Sequence, residues 1–255
     1  MTIDETWFKA RVKEFEAAIL LLTRLRYGPA KTIGGLQIAQ GCWAFPIVGA
    51  LVGLIGAVVY FFAYRPGLTA WPAAALAVAA TMTVTGCLHE DGIADTADGF
   101  GGGETREQKL AIMRDSRTGN YGVCVLMVSI LLRVSALASL GLPALVLPAL
   151  LAAHGGARAV VAAFMFFVPP ARNEGLSAAA GQPPRESAAI AVVLGLLILF
   201  LCLGFWHGLV ALIMLAVVAA LLGWLALVQI DGQTGDVLGA VEQVSEIVIL
   251  LAALA

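Results

Sequence analysis

The chain has 255 residues, of which 60% are of hydrophobic types and 13% are charged, whereas soluble globular domains average about 45–50% and about 25%. This composition excludes an ordinary soluble domain. The net charge of −2 provides no general attraction for nucleic acid. Because a helix needs about 20 apolar residues to cross a bilayer, the sequence predicts an all-α, polytopic membrane bundle. We expect about six to seven spans in a single domain, 1–255.

The N-terminal segment differs in pattern from the spans that follow it. Residues 4–26 carry apolar side chains at steps of three and four, with charged residues between them. This spacing is typical of an amphipathic helix that lies in the headgroup layer without crossing the membrane.

Apolar segments follow along the rest of the chain. The predicted spans cover residues 40–64, 68–88, 119–140, 143–168, about 188–205 and 208–230. A last helix, 237–255, has a short apolar half, so its full crossing stays open. In the first span, Gly49, Gly53 and Gly56 leave a flat strip on which another helix can pack closely.

The basic residues predict the orientation. Twelve lie in the first 39 residues and in the loops 89–118 and 169–187, whereas the opposite loops contain only Arg65. The positive-inside rule therefore predicts a cytoplasmic N-terminus, with these loops in the cytoplasm. The same topology brings the loops to one membrane face, together with the polar segment 231–246.

An acidic stripe follows the second predicted span. If residues 89–99 continue that helix, Asp91, Asp95 and Asp98 share one face, with Glu90 on its flank. Clustered like charges destabilise a helix unless a cation lies against them. Oxygen ligands of this kind suit Mg²⁺ or Mn²⁺ together with phosphate oxygens. The alternative is a solvated helix end with no bound ion.

A basic segment lies beyond the glycines at 101–103. Residues 105–116 are predicted to form a short helix, and the cationic side chains of this region are Arg106, Lys109, Arg114 and Arg117. Guanidinium groups opposite an acidic face are suited to a diphosphate with its metal. Arg114 and Arg117 are the better candidates, and for Arg106 and Lys109 we favour surface ion pairs.

A third polar cluster precedes the last helix. Asp236, Glu242 and Glu246 should lie near the bilayer, where an unpaired carboxylate is costly and a partner cation is expected. Arg158, inside the fourth predicted span, is a candidate partner. Arg133, inside the third, is at least as well explained by a structural pairing.

Three motifs together resemble the cobalamin synthase family, also called adenosylcobinamide-GDP ribazoletransferase. They are residues 89–103 (HEDGIADTADGFGGG), 110–122 (LAIMRDSRTGNYG) and 232–240 (GQTGDVLGA). The early segment 22–25 (LTRL) is also similar, and Asp231 stands where the family pattern has a glycine.

The resemblance implies a magnesium-dependent enzyme of the bacterial plasma membrane with its active site on the cytoplasmic side. A hydroxyl of α-ribazole, or of its 5′-phosphate, would attack the phosphorus adjoining cobinamide in adenosylcobinamide-GDP, and GMP would leave. This completes the nucleotide loop of coenzyme B12. The oligomeric state stays open.

On this match we assign expected roles to individual residues. The expected magnesium ligands are Glu90, Asp91, Asp95 and Asp98. The expected proton acceptor for the attacking hydroxyl is Asp98 or His89. The expected ligands of the diphosphate and of departing GMP are Arg114 and Arg117. The residues expected to complete the metal shell or orient the ribose are Asp115, Asp236 and Glu242.

Two other functions compete with this hypothesis. A CDP-alcohol phosphotransferase also arranges aspartates around metal on membrane helices, but its Ala-Arg pair is absent, since Asp91-Gly92 is followed by Ile93-Ala94-Asp95. An ion-coupled transporter would more naturally place its carboxylates near mid-membrane. Here the acidic residues lie at one face, beside a cationic segment.

Overall fold

The computed structural model describes residues 5–25, 34–65 and 67–255, and these form helices and no β-strand. The helices are α1 (Glu5–Leu22), α2 (Gly35–Gly41), α3 (Phe45–Tyr64), α4 (Ala70–Thr85), α5 (Leu88–Gly102), α6 (Arg106–Ile112), α7 (Asn120–Leu140), α8 (Pro143–Phe167), α9 (Leu176–Ala180), α10 (Arg185–Ile230) and α11 (Gly235–Ala252). A 3₁₀ turn, Cys42–Ala44, joins α2 to α3.

Four helical segments of the described chain are long and apolar enough to cross a membrane. They are Gly35–Tyr64, Asn120–Leu140, Pro143–Phe167 and Arg185–Ile230. A fifth span results if the bent pair α4 and α5 is counted as one. The all-α membrane class is therefore confirmed, whereas the count of six to seven spans is not.

Helix α10 is broken at one residue. Gly204 has φ 73°, outside the helical region, and Phe200 before the break lies against Gly208 after it. A straight helix of 46 residues would be about 69 Å long, about twice the hydrocarbon thickness of a bilayer. Both parts also pack on α8, where Gly195 meets Ala159. The break at Gly204 thus divides α10 into two helical segments, close to the turn predicted between residues 205 and 208.

Helix α5 does not continue α4, which corrects one sequence-based expectation. The two helices meet at 89°, because Gly86 (φ 65°) and Cys87 (φ 56°) are both left-handed. The Gly86 amide donates to the Thr83 carbonyl and ends α4, as a left-handed glycine commonly does after a helix. The acidic stripe is therefore carried across the end of the bundle on a separate helix.

The N-terminal helix α1 forms within residues 4–26, as predicted. Phe8 is 60% exposed, whereas Ala18 and Leu22 are buried against the bundle. Glu14 is also buried, and its carboxylate accepts a hydrogen bond from the indole nitrogen of Trp43 at 2.7 Å. One side of α1 is therefore apolar and exposed, and the other side packs against the bundle.

The predicted glycine strip of α3 is a packing surface, as expected. A Cβ on Gly49 would collide with the His154 backbone, and one on Gly53 would lie 2.8 Å from the Leu150 carbonyl carbon. Both contacts are with α8, while Gly56 faces Thr81 of α4. Because lipid is as apolar as the helices, burial of apolar surface does not drive them together, and the close contact of their backbones supplies van der Waals packing instead.

We expect Gly53→Leu to lower the thermal midpoint of the purified protein in detergent, since overpacking costs about 1–3 kcal/mol or more. Gly235→Ala is the control, because a Cβ there meets nothing within 4 Å. Unfolding is followed by intrinsic tryptophan fluorescence. Equal midpoints for the two variants would contradict the close α3–α8 contact.

Candidate active site

Three polar segments meet at one end of the bundle, as the predicted topology requires. The Arg106 side chain lies 3.0 Å from the Asp231 carboxylate, and the Arg114 side chain lies 3.2 Å from that of Glu174. The backbone amide of Gln233 donates a hydrogen bond to the Pro169 carbonyl at 2.8 Å. The regions 89–118, 169–187 and 231–236 therefore form one polar surface.

An acidic face lies on this surface, formed by Asp91, Asp95 and Asp236. Asp91 is exposed, and Asp95 and Asp236 are half-buried. Burial, together with the charges of Asp91, Asp236 and Asp98, raises the pKa of Asp95 to about 7; Asp95 lies outside the four apolar spans. Burial is the larger cause and repulsion by the neighbouring carboxylates the smaller one, and a bound cation would offset both.

Close approach of two helices brings Asp236 to this face. Gly92 of α5 crosses Gly239 of α11 so closely that a Cβ on Gly92 would lie 2.8 Å from the Asp236 carbonyl oxygen. The Thr234 hydroxyl caps α11 by accepting from the Val237 amide at 3.3 Å. The Thr234 hydroxyl also donates to the Asp236 carboxylate at 3.1 Å, which orients that side chain.

Asp98 is placed differently from the other stripe aspartates. Its buried carboxylate accepts backbone hydrogen bonds from Gly119 at 2.6 Å and from Gly122 at 2.9 Å. These amides belong to the start of α7, where unpaired donors and the helix dipole favour a negative charge. Asp98 therefore joins α5 to α7, with its remaining lone pairs left for another ligand.

His89, Glu90 and Glu242 point into the bundle. Glu90 accepts from the Arg133 guanidinium at 2.9 Å, and Glu242 contacts that of Arg158 at 2.6 Å. The His89 Nδ1 atom is 3.6 Å from the Glu242 carboxylate. The partnership expected for Arg158 is confirmed with Glu242, and Arg133 has the structural pairing expected for it.

This interior network continues to α8 and the middle of α11. Glu246 lies 3.1 Å from His154 Nδ1 and 3.5 Å from Arg133. Within the described chain, His154, Glu242 and Glu246 are the one group of possible ligands whose atoms all lie within 4.8 Å. Two guanidinium groups already contact these carboxylates, and the gap between the side chains has no room for water. The network is therefore a dry, ion-paired part of the core.

The basic segment divides into two parts. Arg106 donates to the Ile230 carbonyl at 3.2 Å, and Lys109 bonds Gln229, so both attach α6 to the end of α10. Arg117 is 87% exposed and pairs with Asp115 at 2.6 Å, and this partner lowers the pKa of Asp115.

Arg114, one of the two predicted arginines, is linked to the cavity beside the acidic face through one ion pair. Its partner Glu174 also lines the cavity that opens beside Asp91 and Asp236. Asp115 and Arg117 pair with one another, and neither of them lines the cavity.

The cavity has a volume of about 260 Å³. Its apolar walls come from α1, α2, α3 and α8, including Leu22, Phe45 and Met165. Asp91 and Asp236 also line it. The further polar residues that line it, which the sequence analysis did not single out, are Arg172, Glu174, Ser177, Gln233 and Thr234. Of these, only Gln233 and Thr234 lie in one of the quoted motifs, 232–240.

The donors on the acidic face suit a hard divalent cation. Asp91, Asp95 and Asp236 offer only carboxylate oxygens, and such a cation would offset the burial and the like-charge repulsion that raise the pKa of Asp95. Their oxygens are not all within 4.8 Å of one another. This spacing is compatible with Mg²⁺, which keeps several waters and takes substrate phosphate oxygens beside one or two carboxylates. Glu90 fits less well, because Arg133 occupies it.

Comparison with known proteins agrees with the motifs. The family model described as cobalamin-5-phosphate synthase matches residues 14–254. An adenosylcobinamide-GDP ribazoletransferase of Bradyrhizobium diazoefficiens is 55% identical over 96% of this chain and 94% of its own. One from Mesorhizobium japonicum is 51% identical over 92% and 90%. No solved structure matches the chain significantly. The chain therefore belongs to the cobalamin-5-phosphate synthase family, as its motifs indicated.

Proposed function

We propose that the protein transfers the phosphocobinamide moiety of adenosylcobinamide-GDP to α-ribazole or its 5′-phosphate and releases GMP. The observation that carries the proposal is the acidic face of Asp91, Asp95 and Asp236 beside a ligand-sized cavity. This arrangement occurs in a family whose similar members carry that activity in their names. Phosphoryl transfer needs positioning and charge neutralisation rather than a covalent nucleophile.

In the proposed reaction, a ribose hydroxyl oxygen of the acceptor bonds to the phosphorus adjoining cobinamide. The bond from that phosphorus to the bridging oxygen breaks, and GMP leaves with that oxygen. Mg²⁺ would be held by the acidic face, Asp91, Asp95 and Asp236, together with Asp98. When bound, the ion would neutralise charge on the diphosphate oxygens.

The proposed proton acceptor is His89, one of the two candidates from the sequence. His89 lines the cavity, whereas Asp98 does not, and both Asp98 oxygens already accept backbone hydrogen bonds. A base must lie within hydrogen-bond reach of the proton that it takes. Glu242, 3.6 Å from His89, would hold the imidazole in place rather than bind the ribose.

The proposed diphosphate ligands are Arg114, whose partner Glu174 lines the cavity, and Arg117. Arg114 would exchange its exposed contact with Glu174 for phosphate oxygens, which guanidinium groups bind in a bidentate way. Arg117 would have to leave Asp115. The excess of basic residues in these loops supports a cytoplasmic position for this end of the bundle, by the positive-inside rule.

The test is conversion of substrates by the purified protein in lipid nanodiscs. We expect GMP and a cobalamin product from adenosylcobinamide-GDP, α-ribazole and Mg²⁺. Phospholipid formation from a CDP-alcohol and an acceptor alcohol, with no cobalamin product, would contradict the proposal and support the rival phosphotransferase.

Metal removal provides a separate prediction. Treatment with EDTA should abolish GMP release, and added Mg²⁺ should restore it, because the oxygen-only face needs a hard cation to hold the diphosphate. Addition of Ca²⁺ in place of Mg²⁺ is the control, since Ca²⁺ forms longer bonds and takes more ligands than Mg²⁺. Undiminished activity after exhaustive chelation would contradict a required divalent ion.

A further inference from the structure

We infer that the cavity beside the acidic face is the acceptor site and that Gln233 recognises the benzimidazole base of α-ribazole. This inference rests on the proposed function and identifies which of the two substrates enters the bundle. Three observations carry it: the lining of the cavity, an unpaired buried amide in its wall, and the position of the acidic face at its polar side.

The size and lining of the cavity suit the acceptor better than the corrinoid substrate. Its volume of about 260 Å³ is close to the lower end of small-molecule sites, roughly 300–1,000 Å³, and a corrin macrocycle is too large for it. Leu22, Phe45, Val161 and Met165 supply apolar walls. Dimethylbenzimidazole is a flat apolar bicycle with two methyl groups, whereas guanine would bring several polar edges into these walls.

Gln233 provides the specific contact. Its side chain is 1% exposed, and its Oε1 atom accepts a hydrogen bond from the Ser177 hydroxyl at 2.6 Å. Its Nε2 atom has no hydrogen-bond partner among the described residues. A buried donor without a partner is unfavourable, and the base of α-ribazole has one unsubstituted ring nitrogen that can accept its hydrogen. The Ser177 hydrogen bond fixes the orientation of the side-chain amide, and in the inferred complex Nε2 donates to this ring nitrogen.

The polar side of the cavity gives the direction of the bound nucleoside. With the base at Gln233, the ribose lies toward Asp91 and Asp236, which line the same cavity. Arg172 also lines it; its Nη2 atom is 3.6 Å from Asp236, and its buried Nη1 atom has no hydrogen-bond partner in the described chain. Arg172 is therefore placed to receive the 5′-phosphate of the phosphorylated acceptor.

The sharpest test changes the base and the amide together. Wild-type protein should use α-ribazole at least tenfold better, in kcat/KM, than the analogue whose free ring nitrogen is replaced by C–H, because the buried amide then stays unpaired. Gln233→Leu should raise the KM for α-ribazole roughly tenfold and bring this preference close to one. The KM for adenosylcobinamide-GDP should stay within twofold.

A merely structural role for Gln233 would leave the preference between the two bases unchanged, and that result in a folded variant overturns the assignment. A second pair of variants tests the cavity without touching the amide. Ala178 lines the cavity, whereas the neighbouring Ala179 is exposed and does not. Ala178→Trp should raise the KM for α-ribazole at least tenfold, and Ala179→Trp should not.

Equal KM values for α-ribazole in Ala178→Trp, Ala179→Trp and wild type would place the acceptor elsewhere and overturn the inference. Failure of the proposed function has a different signature. Wild-type protein would then produce no GMP from adenosylcobinamide-GDP and would not retain α-ribazole in equilibrium dialysis. If wild-type protein forms product and Ala178→Trp has unaltered acceptor kinetics, only the acceptor site is contradicted and the proposed function stands.

Discussion

Asp95→Asn should reduce turnover by roughly 100- to 1,000-fold while the protein still inserts and folds. The substitution removes one charge from the face of Asp91, Asp95 and Asp236, and a bound cation supplies several kcal/mol of charge stabilisation in reactions of this kind. GMP release by the purified variant in nanodiscs, at saturating Mg²⁺, measures the effect.

The same variant should be more stable than wild type in metal-free buffer. Burial of the charge and repulsion by the neighbouring carboxylates raise the pKa of Asp95 to about 7, and a neutral amide avoids both. Loss of activity with a higher thermal midpoint separates a functional carboxylate from a structural one. Glu107→Gln, an exposed charge removal on α6, should change neither quantity. Wild-type turnover by Asp95→Asn would remove Asp95 from the site.

Arg158→Met should lower the free energy of unfolding by about 3–5 kcal/mol, because it leaves a buried carboxylate without its cation. Glu242 is fully buried, and Arg158 lies 2.6 Å from it. Denaturant titration in detergent, followed by tryptophan fluorescence, measures the loss. Arg114→Met is the matched control, since its exposed pair with Glu174 should contribute no more than about 1 kcal/mol.

The double variant Arg158→Met with Glu242→Gln should recover part of the stability lost by the single variant, because residue 242 then carries no charge that needs a partner. No recovery would contradict the assignment of this pair as a charge-compensated unit. The double variant also tests an expected role of Glu242. Recovered stability with near-normal KM values would show that Glu242 does not bind the ribose.

Several features could be predicted from local sequence because they depend on composition and on the 100° step of a helix. The apolar segments indicated a helical membrane protein, and the helix around Gly49 and Gly53 packs through the predicted strip. The family could be inferred from motifs of consecutive residues, which can be read without a three-dimensional structure. The burial of Glu90 could not be predicted in this way. The side of α5 that carries Glu90 is buried only because another helix, with Arg133, packs against it.

The sequence by itself therefore determined the class of protein, its family and the shared phase of Asp91, Asp95 and Asp98, since these depend on residue type and spacing along one helix. Only the tertiary structure decided that α5 turns by 89° from α4 and that Asp236 joins the acidic face. It also decided that Gln233 lines a cavity. The reason is physical: contacts between helices distant in sequence depend on how backbones pack, and no local periodicity encodes which of them approach.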